Sequence, residues 1–429
     1  MAMNPFKPTA GKMPPILIGR ETAIEEFTEG LDNGAGAPGR IMLVTGQRGF
    51  GKTVLLTEFR RIAAERGWET ISETASPDVA QRLIEALTPS GLHINQASVS
   101  PSVSIPGIAS ASLGHIDLSS TTTPLTLRNA IAKRLESGKI GKGKGILITI
   151  DETQAASLDD LVAIATAIQH VTTSIDETNV PDAEKKGIAI VFAGLPSTVN
   201  DLVNDDVVTF LRRALRCELD NVPLVDVKNA FLESVADSGK TIGNDEAWQA
   251  AQATNGYPYM VQLVGYYMWQ ASQRRHATGI TASDVATGIA DAQIAFDDAV
   301  CAPALDGLKP AELEFLNAMA CDAPAATAVS AIETRTGRSR SWVNKYRAAL
   351  IKDKIIQPAG HGSLEFAISH LGAYLRKRLE APRRIAPGMA PAVAGDCPAH
   401  WPINGPNNHS AGWPFSQPTV QPASVNWLL

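Results

Sequence analysis

A parallel α/β sheet domain, a helical segment after it and a small basic module near the C-terminal end are what this 429-residue sequence predicts. Three observations predict it. Apolar β-type runs at Ile41–Thr45, Ile146–Ile150 and Ile188–Gly194 alternate with stretches of helical periodicity, the pattern of a doubly wound parallel sheet. From Leu224 to about Val300 the pattern is wholly helical. Leu308 to Ile385 then carries thirteen Lys and Arg against seven Asp and Glu, inside a chain whose net charge is −6.

Composition sets the outer limits. With 44% hydrophobic and 19% charged residues the chain has the make-up of a globular protein, and its length calls for two or three domains. A pI of about 5.8 excludes a general polycation, so any nucleic-acid contact has to come from a local patch. Cys217, Cys301, Cys321 and Cys397 form no C-x-x-C pair and no disulfide framework, and the eight histidines show no metal-ligand spacing. Residues 1–15 lack the apolar core of a signal peptide, and no apolar run reaches membrane-spanning length. The expected location is cytoplasmic, with no membrane partner.

In chain order, residues 1–15 carry Pro, Gly and Lys and read as a flexible arm. The sheet domain is expected over 16–222. Ile24, Phe27 and Leu31 share one face of a helix from Thr22 to Leu31, and Asp32–Gly39 is a turn. The first strand runs into Gly46-Gln47-Arg48-Gly49-Phe50-Gly51-Lys52-Thr53, followed by a helix from Val54 to Glu65. That is a complete G-x-x-x-x-G-K-[ST] loop, the P-loop pattern, in its strand–loop–helix setting. Glycine lets the backbone turn tightly and aim N–H groups at an anion with no Cβ in the way, and the new helix adds its positive end. A nucleoside triphosphate is expected on Gly46–Val54, with Lys52 on the β- and γ-phosphates and the Thr53 hydroxyl on Mg²⁺.

Trp68–Ser72 reads as a weak strand and Val79–Leu87 as a helix. The Ser-rich stretch from Leu92 to Thr123 is almost free of charge, and its composition leaves an inserted β-hairpin and a loop equally open; Pro101 and Pro106 oppose a central strand. Pro124–Gly138 is helical. The run Ile146–Ile150 then ends in Asp151-Glu152. Two carboxylates at the end of a buried parallel strand, in a chain that already holds a P-loop, read as a Walker B element. Asp151 is expected to hold Mg²⁺ and Glu152 to polarise the attacking water. A helix from Leu158 to Thr172 follows, then the strand ending at Gly194-Leu195-Pro196, then an arginine-bearing stretch with Arg212, Arg213 and Arg216. Helices over Val225–Val235, Asp245–Ala253, Pro258–Arg274 and Ala282–Asp298 make a lid over 223–302, divided at Asn255-Gly256-Tyr257-Pro258.

Taken in order, Ile18-Gly19-Arg20-Glu21, the P-loop, Ile146–Glu152, Phe192–Pro196, Arg212-Arg213 and Gly256-Tyr257-Pro258 resemble the AAA+/STAND-like P-loop ATPases, in particular the archaeal-ATPase and origin-recognition-like branch, over about residues 16–300. The resemblance implies ATP between sheet and lid, bordered by Ile18 and contacted from the lid by Pro258. It implies that Arg212 or Arg213 serves as an arginine finger on a neighbouring subunit's γ-phosphate, and hence a homo-oligomer. The chain departs from the family at Ala193-Gly194-Leu195-Pro196, where typical AAA+ enzymes carry a polar sensor, and in the lid, which has no arginine beside Gly256-Tyr257-Pro258. Both departures imply slow hydrolysis by a switch rather than a fast motor.

The basic module is expected over 303–385. Helices at Pro310–Ala320, Thr327–Thr334 and Ser341–Lys352, the last after a Gly-Arg-Ser turn, follow the helix-turn-helix order. Ile355–Gln357 and Leu364–Ile368 flank a Gly-His-Gly loop as the strands of a wing, so the module reads as a winged helix. Trp342, Tyr346 and Leu350 are expected to pack inward, leaving Arg338, Arg340, Ser341, Asn344, Lys345 and Arg347 for double-stranded DNA. Residues 386–429, rich in Pro, Gly, Asn and Ser, read as a disordered tail. The function expected from the whole is an ATP-binding, Mg²⁺-dependent, slowly hydrolysing switch that binds DNA. The alternative is a STAND-like signalling or scaffold ATPase whose winged helix contacts protein.

Overall fold

A computed structural model of the chain describes residues 3–9, 11–34, 36–88, 126–360 and 362–380. The Ser-rich insertion and the tail from 386 onward lie outside them. The chain forms two compact units: residues up to Leu308 together with Phe366–Tyr374, and Lys309–Glu365 together with the residues from Leu375.

The first unit opens with α1 (Glu21–Asp32), β1 (Ile41–Gly46) and α2 (Lys52–Glu65), then β2 (Glu69–Thr74) and α3 (Val79–Leu87). After α4 (Leu127–Glu136) come β3 (Gly145–Asp151), α5 (Leu158–Asp176), β4 (Gly187–Gly194), α6 (Pro196–Asn204) and β5 (Leu215–Leu219). The five strands form one sheet in the order β2-β3-β4-β1-β5, and every pairing is parallel. β3 and β4 are buried at every position, which is why both read as unbroken apolar runs. β5 is an edge strand: Arg216 and Glu218 face water while Leu219 is buried, and that weak alternation hid it in the sequence. Register places the ends together. Thr45 lies opposite Gly194 and Thr74 opposite Asp151, so the turns after β1, β3 and β4 share one edge of the sheet.

The lid follows as α7 (Leu224–Asp237), α8 (Asn244–Thr254), α9 (Pro258–Arg274) and α10 (Ala282–Phe296). It is not wholly helical: β6 (Thr241–Ile242) and β7 (Gly279–Ile280) make a short parallel pair too brief to leave a periodic signal. Within the lid, Gly288 lets α10 approach the α9 backbone, since a Cβ there would sit 2.4 Å from the Met268 nitrogen.

The N-terminal segment is docked, not a flexible arm. Phe6 is 2% exposed, its ring stands edge-on to Phe231 at 5.7 Å, and it fills the notch left by Gly265. Asn4 Nδ2 donates to the Tyr266 carbonyl at 3.0 Å, and the Lys7 amide donates to Gln262 Oε1 at 3.1 Å. One buried aromatic anchors a polar strand, a signal too small to separate from a solvated arm by composition. Phe6→Ala is expected to cost about 2–3 kcal/mol and to expose the N-terminal segment to protease while leaving the sheet domain folded. Unchanged cleavage kinetics in limited proteolysis count against that anchoring.

The second unit contains α12 (Pro310–Ala320), reached through the short α11 (Ala302–Leu305), then β8 (Thr327–Ala328), α13 (Val329–Thr336), α14 (Arg340–Lys352), β9 (Ile356–Pro358) and β10 (Ser363–Phe366). The last helix described, α15 (Leu371–Glu380), was not visible as such in the sequence. Gly337, at φ 65°, closes α13, and Ser339 caps α14 by accepting from the Trp342 amide at 3.3 Å. The three strands pair in the order β8-β10-β9. Phe315, Leu316, Ile332, Val343, Leu350 and Leu364 supply its core. The expected inward face of α14 is corrected here: Val343 takes the interior, whereas Trp342 and Tyr346 are only half-buried. Leu350 packs inward as expected, so the buried stripe is Val343 and Leu350 in place of the full i, i+4, i+8 row.

Candidate functional site

The site stands where β1 hands over to α2. Gly49 (φ 80°) and Gly51 (φ 87°) take the left-handed conformations that let the loop curl back, and α2 begins at Lys52. Gly49 has a second reason to be glycine: a Cβ there would fall 1.9 Å from the Tyr257 hydroxyl oxygen. Lys52 is 5% exposed, and its Nζ donates to the carbonyls of Gly46 at 2.9 Å and Gln47 at 3.0 Å. The ammonium is thus held inside the loop that it must serve.

The end of β3 comes to meet this loop. Thr53 Oγ1 donates to Asp151 Oδ2 at 2.5 Å, joining residues 98 positions apart. Asp151 Oδ1 also accepts from the Glu152 amide at 2.8 Å. A hydroxyl and a carboxylate in contact beside a phosphate-shaped loop are the oxygen pair a Mg²⁺ ion takes in such sites. The donor set fits that ion, with Thr53 and Asp151 as the residues that would hold it. Among the described residues no cluster of three or more His, Cys, Asp or Glu offers another metal site.

From the lid, Tyr257 reaches the loop. Its hydroxyl donates to the Arg48 carbonyl at 2.6 Å, and its ring stands edge-on to Phe50 at 5.2 Å and to Phe296 at 5.6 Å. Burial pushes this phenol above its ordinary pKa, which keeps it protonated as a donor. Arg20, ahead of α1, donates to the carbonyls of Phe50 and Asp220, both at 3.3 Å. Its guanidinium is pulled below the usual arginine value by burial.

Loop, lid and N-terminal segment line an open cavity of about 490 Å³. Arg48 to Val54 line it, with Ile18 on one side and Pro258 on the other. Five cationic residues border it (Lys7, Lys12, Arg20, Arg48 and Lys52), and Glu152 is the one carboxylate among its described lining residues. Such a wall favours a polyanion, and a volume of this size suits a nucleotide. Gly46 and Gln47 are outside the lining and act through their bonds to Lys52. Sequence reasoning missed Lys7, Lys12 and Gln262, because nothing local announces that the N-terminal segment crosses the cavity.

Arg212 and Arg213 are not brought to this cavity. They end a 3-10 turn, Thr209–Arg213, that precedes β5 and so lies at the opposite edge of the sheet. A six-residue strand such as β1 spans about 20 Å, so neither side chain serves the site of its own chain. Both are exposed; Arg212 Nε donates weakly to the Val203 carbonyl at 3.4 Å, and Arg213 borders a separate hollow of about 180 Å³.

In the second unit the six α14-region residues are not equivalent. Arg338 is committed to Glu314 through bonds of 3.0 and 3.1 Å and lies over the Trp342 ring at 5.5 Å. Arg340, Ser341, Asn344 and Lys345 are exposed on α14, and Arg347 is half-buried.

A five-stranded parallel sheet in this order, with a complete phosphate loop and an acidic strand end beside it, defines a P-loop NTPase fold with a helical lid. Residues 16–178 match the family described as AAA ATPase domain, and residues 298–375 match one described as a domain of unknown function (DUF8462). No curated protein matches the chain. Among solved structures, the chain is similar to the Walker-type ATPase PABY2304 of Pyrococcus abyssi, at 15% identity and a TM-score of 0.55, covering 84% of this chain and 96% of that one. It is also similar to the Aeropyrum pernix ORC2 protein, solved as ADPNP–ADP complexes, at 13% identity and a TM-score of 0.52, with 88% and 98% covered. At such identities the likeness is one of fold. Among the described residues no helix is long and apolar enough to cross a membrane.

Proposed function

We propose that this chain is an ATP-binding, Mg²⁺-dependent ATPase that works as a slow switch. The observation that carries the reading is the Thr53–Asp151 contact at 2.5 Å beside a cavity walled by five cations. Mg²⁺ bound by Thr53 and Asp151 supplies charge neutralisation on the phosphates. Lys52 exchanges its bonds to the loop carbonyls for phosphate oxygens, and the loop amides wrap the same group. Glu152, at the cavity wall, accepts the proton of the attacking water. Ile18 and Pro258 give the base apolar edges. Tyr257 ties the lid to the loop, so phosphate occupancy is felt by the lid through the Arg48 carbonyl. Arg212 and Arg213, remote from their own cavity, serve a neighbouring subunit in a homo-oligomer. The reading is tested by nucleotide binding and phosphate release with ATP and Mg²⁺, with EDTA as the control; turnover that survives EDTA overturns it.

The second unit is read as a winged helix that contacts double-stranded DNA through Arg340, Ser341, Asn344, Lys345 and Arg347, with Arg338 holding α12 to α14. Support comes from the helix order, the Gly337 turn and the exposed cations of α14. In the full chain, Arg340→Glu with Lys345→Glu is expected to weaken duplex binding about 10-fold or more and to lower the slope of log K against log salt by about 2. Equal binding by parent and double variant rules out this face. Absence of salt-sensitive binding by the parent moves the reading to protein contact.

A further inference from the structure

Gln154 belongs to neither motif, yet its side chain joins the two strand ends that matter. Its amide Nε2 donates to Glu152 Oε2, and its Oε1 accepts from the Leu195 amide at 3.2 Å. Leu195 directly follows β4, at the place where the sequence lacks the polar sensor side chain of typical AAA+ enzymes. A backbone N–H stands there in its stead, and Gln154 reads it.

The local backbone is shaped for this bridge. Glu152 takes a left-handed conformation, φ 53°, so that the chain turns at once into the 3-10 turn Thr153–Ala155, closed by the Ala155 amide on the Glu152 carbonyl at 2.8 Å. Gly194 permits the turn to close on β4, because a Cβ at that position would overlap the Thr153 side chain and lie 3.2 Å from Gln154 Oε1. The Glu152 carboxylate is therefore tied through Oε2, on a residue that lines the cavity.

We propose that Gln154 is a positioning residue that orients the Glu152 carboxylate against the end of β4, supplying from β3's own turn the coupling that the sensor position does not. This rests on the ATPase reading above. A carboxylate free to rotate loses the alignment that general-base chemistry requires, at a cost of about 10- to 100-fold in rate.

The test uses the full chain and four proteins: wild type, Gln154→Ala, the near-isosteric Gln154→Met, and Lys52→Ala as the background. Steady-state ATP hydrolysis gives kcat and KM, a fluorescent ATP analogue gives Kd, and thermal melting reports folding. The expected result is a kcat about 10- to 100-fold lower in both Gln154 variants, with Kd and KM within about threefold of wild type and melting unchanged. Wild-type kcat in either folded variant overturns the inference alone, as does a Kd that weakens in step with kcat. If wild type turns over ATP no faster than Lys52→Ala, the ATPase reading falls and takes this inference with it.

Discussion

Lys52→Ala is expected to lower affinity for ATP about 100-fold or more. The ammonium is buried in the loop and already directed at the two carbonyls that frame the phosphate position. Charge-assisted bonds contribute about 1.5–3 kcal/mol each, and Lys52 is expected to make them to both the β- and the γ-phosphate. A loss of about 3 kcal/mol corresponds to roughly two decades in Kd. Isothermal titration with ATP and Mg²⁺ checks it, and a Kd within about threefold of wild type removes Lys52 from the phosphate grip. Melting of the nucleotide-free variant separates lost binding from lost folding, since the same substitution leaves two carbonyls without their donor.

Glu152→Gln is expected to do the opposite: binding kept, chemistry lost. Its carboxylate lines the cavity, whereas the oxygen pair suited to Mg²⁺ is made by Thr53 and Asp151. An amide of the same shape accepts no proton, and removal of a general base slows such steps by about 10² to 10⁴. The measurement is single-turnover hydrolysis of ATP alongside Kd. Turnover at the wild-type rate excludes Glu152 as the base. Weakened binding of similar size assigns it instead to holding the nucleotide. Gln154→Met, with the carboxylate present but untied, is expected to fall between this variant and wild type.

Much of the fold was legible because its signals are local. β3 and β4 are buried on both faces and so are apolar throughout; α2 follows a contiguous glycine-rich phosphate loop; Val79–Leu87 carries a clean amphipathic stripe. The elements that were not legible are short or lie on an edge. β5 alternates weakly beside water, and β6 and β7 are two residues each. On α14 Leu350 faces in as expected, but the first turn is filled by Val343 and not Trp342, because the two are adjacent and only packing decides which of them faces in.

The sequence by itself determined the phosphate loop, the acidic end of β3 and the alternation that makes the sheet parallel, since each is written in contiguous residues whose chemistry has one use together. Only the tertiary structure decided the rest. It put Asp151 on Thr53 across 98 residues, seated Phe6 in the lid so that Lys7 and Lys12 border the cavity, and drew Tyr257 to the loop. It set Arg212 and Arg213 at the far edge of the sheet and linked Gln154 to the end of β4. The physical reason is the same in each case. A contact between distant segments depends on strand order, register and the hollow left by a neighbour such as Gly265 or Gly194, and none of these is carried by the residues at either end of the contact.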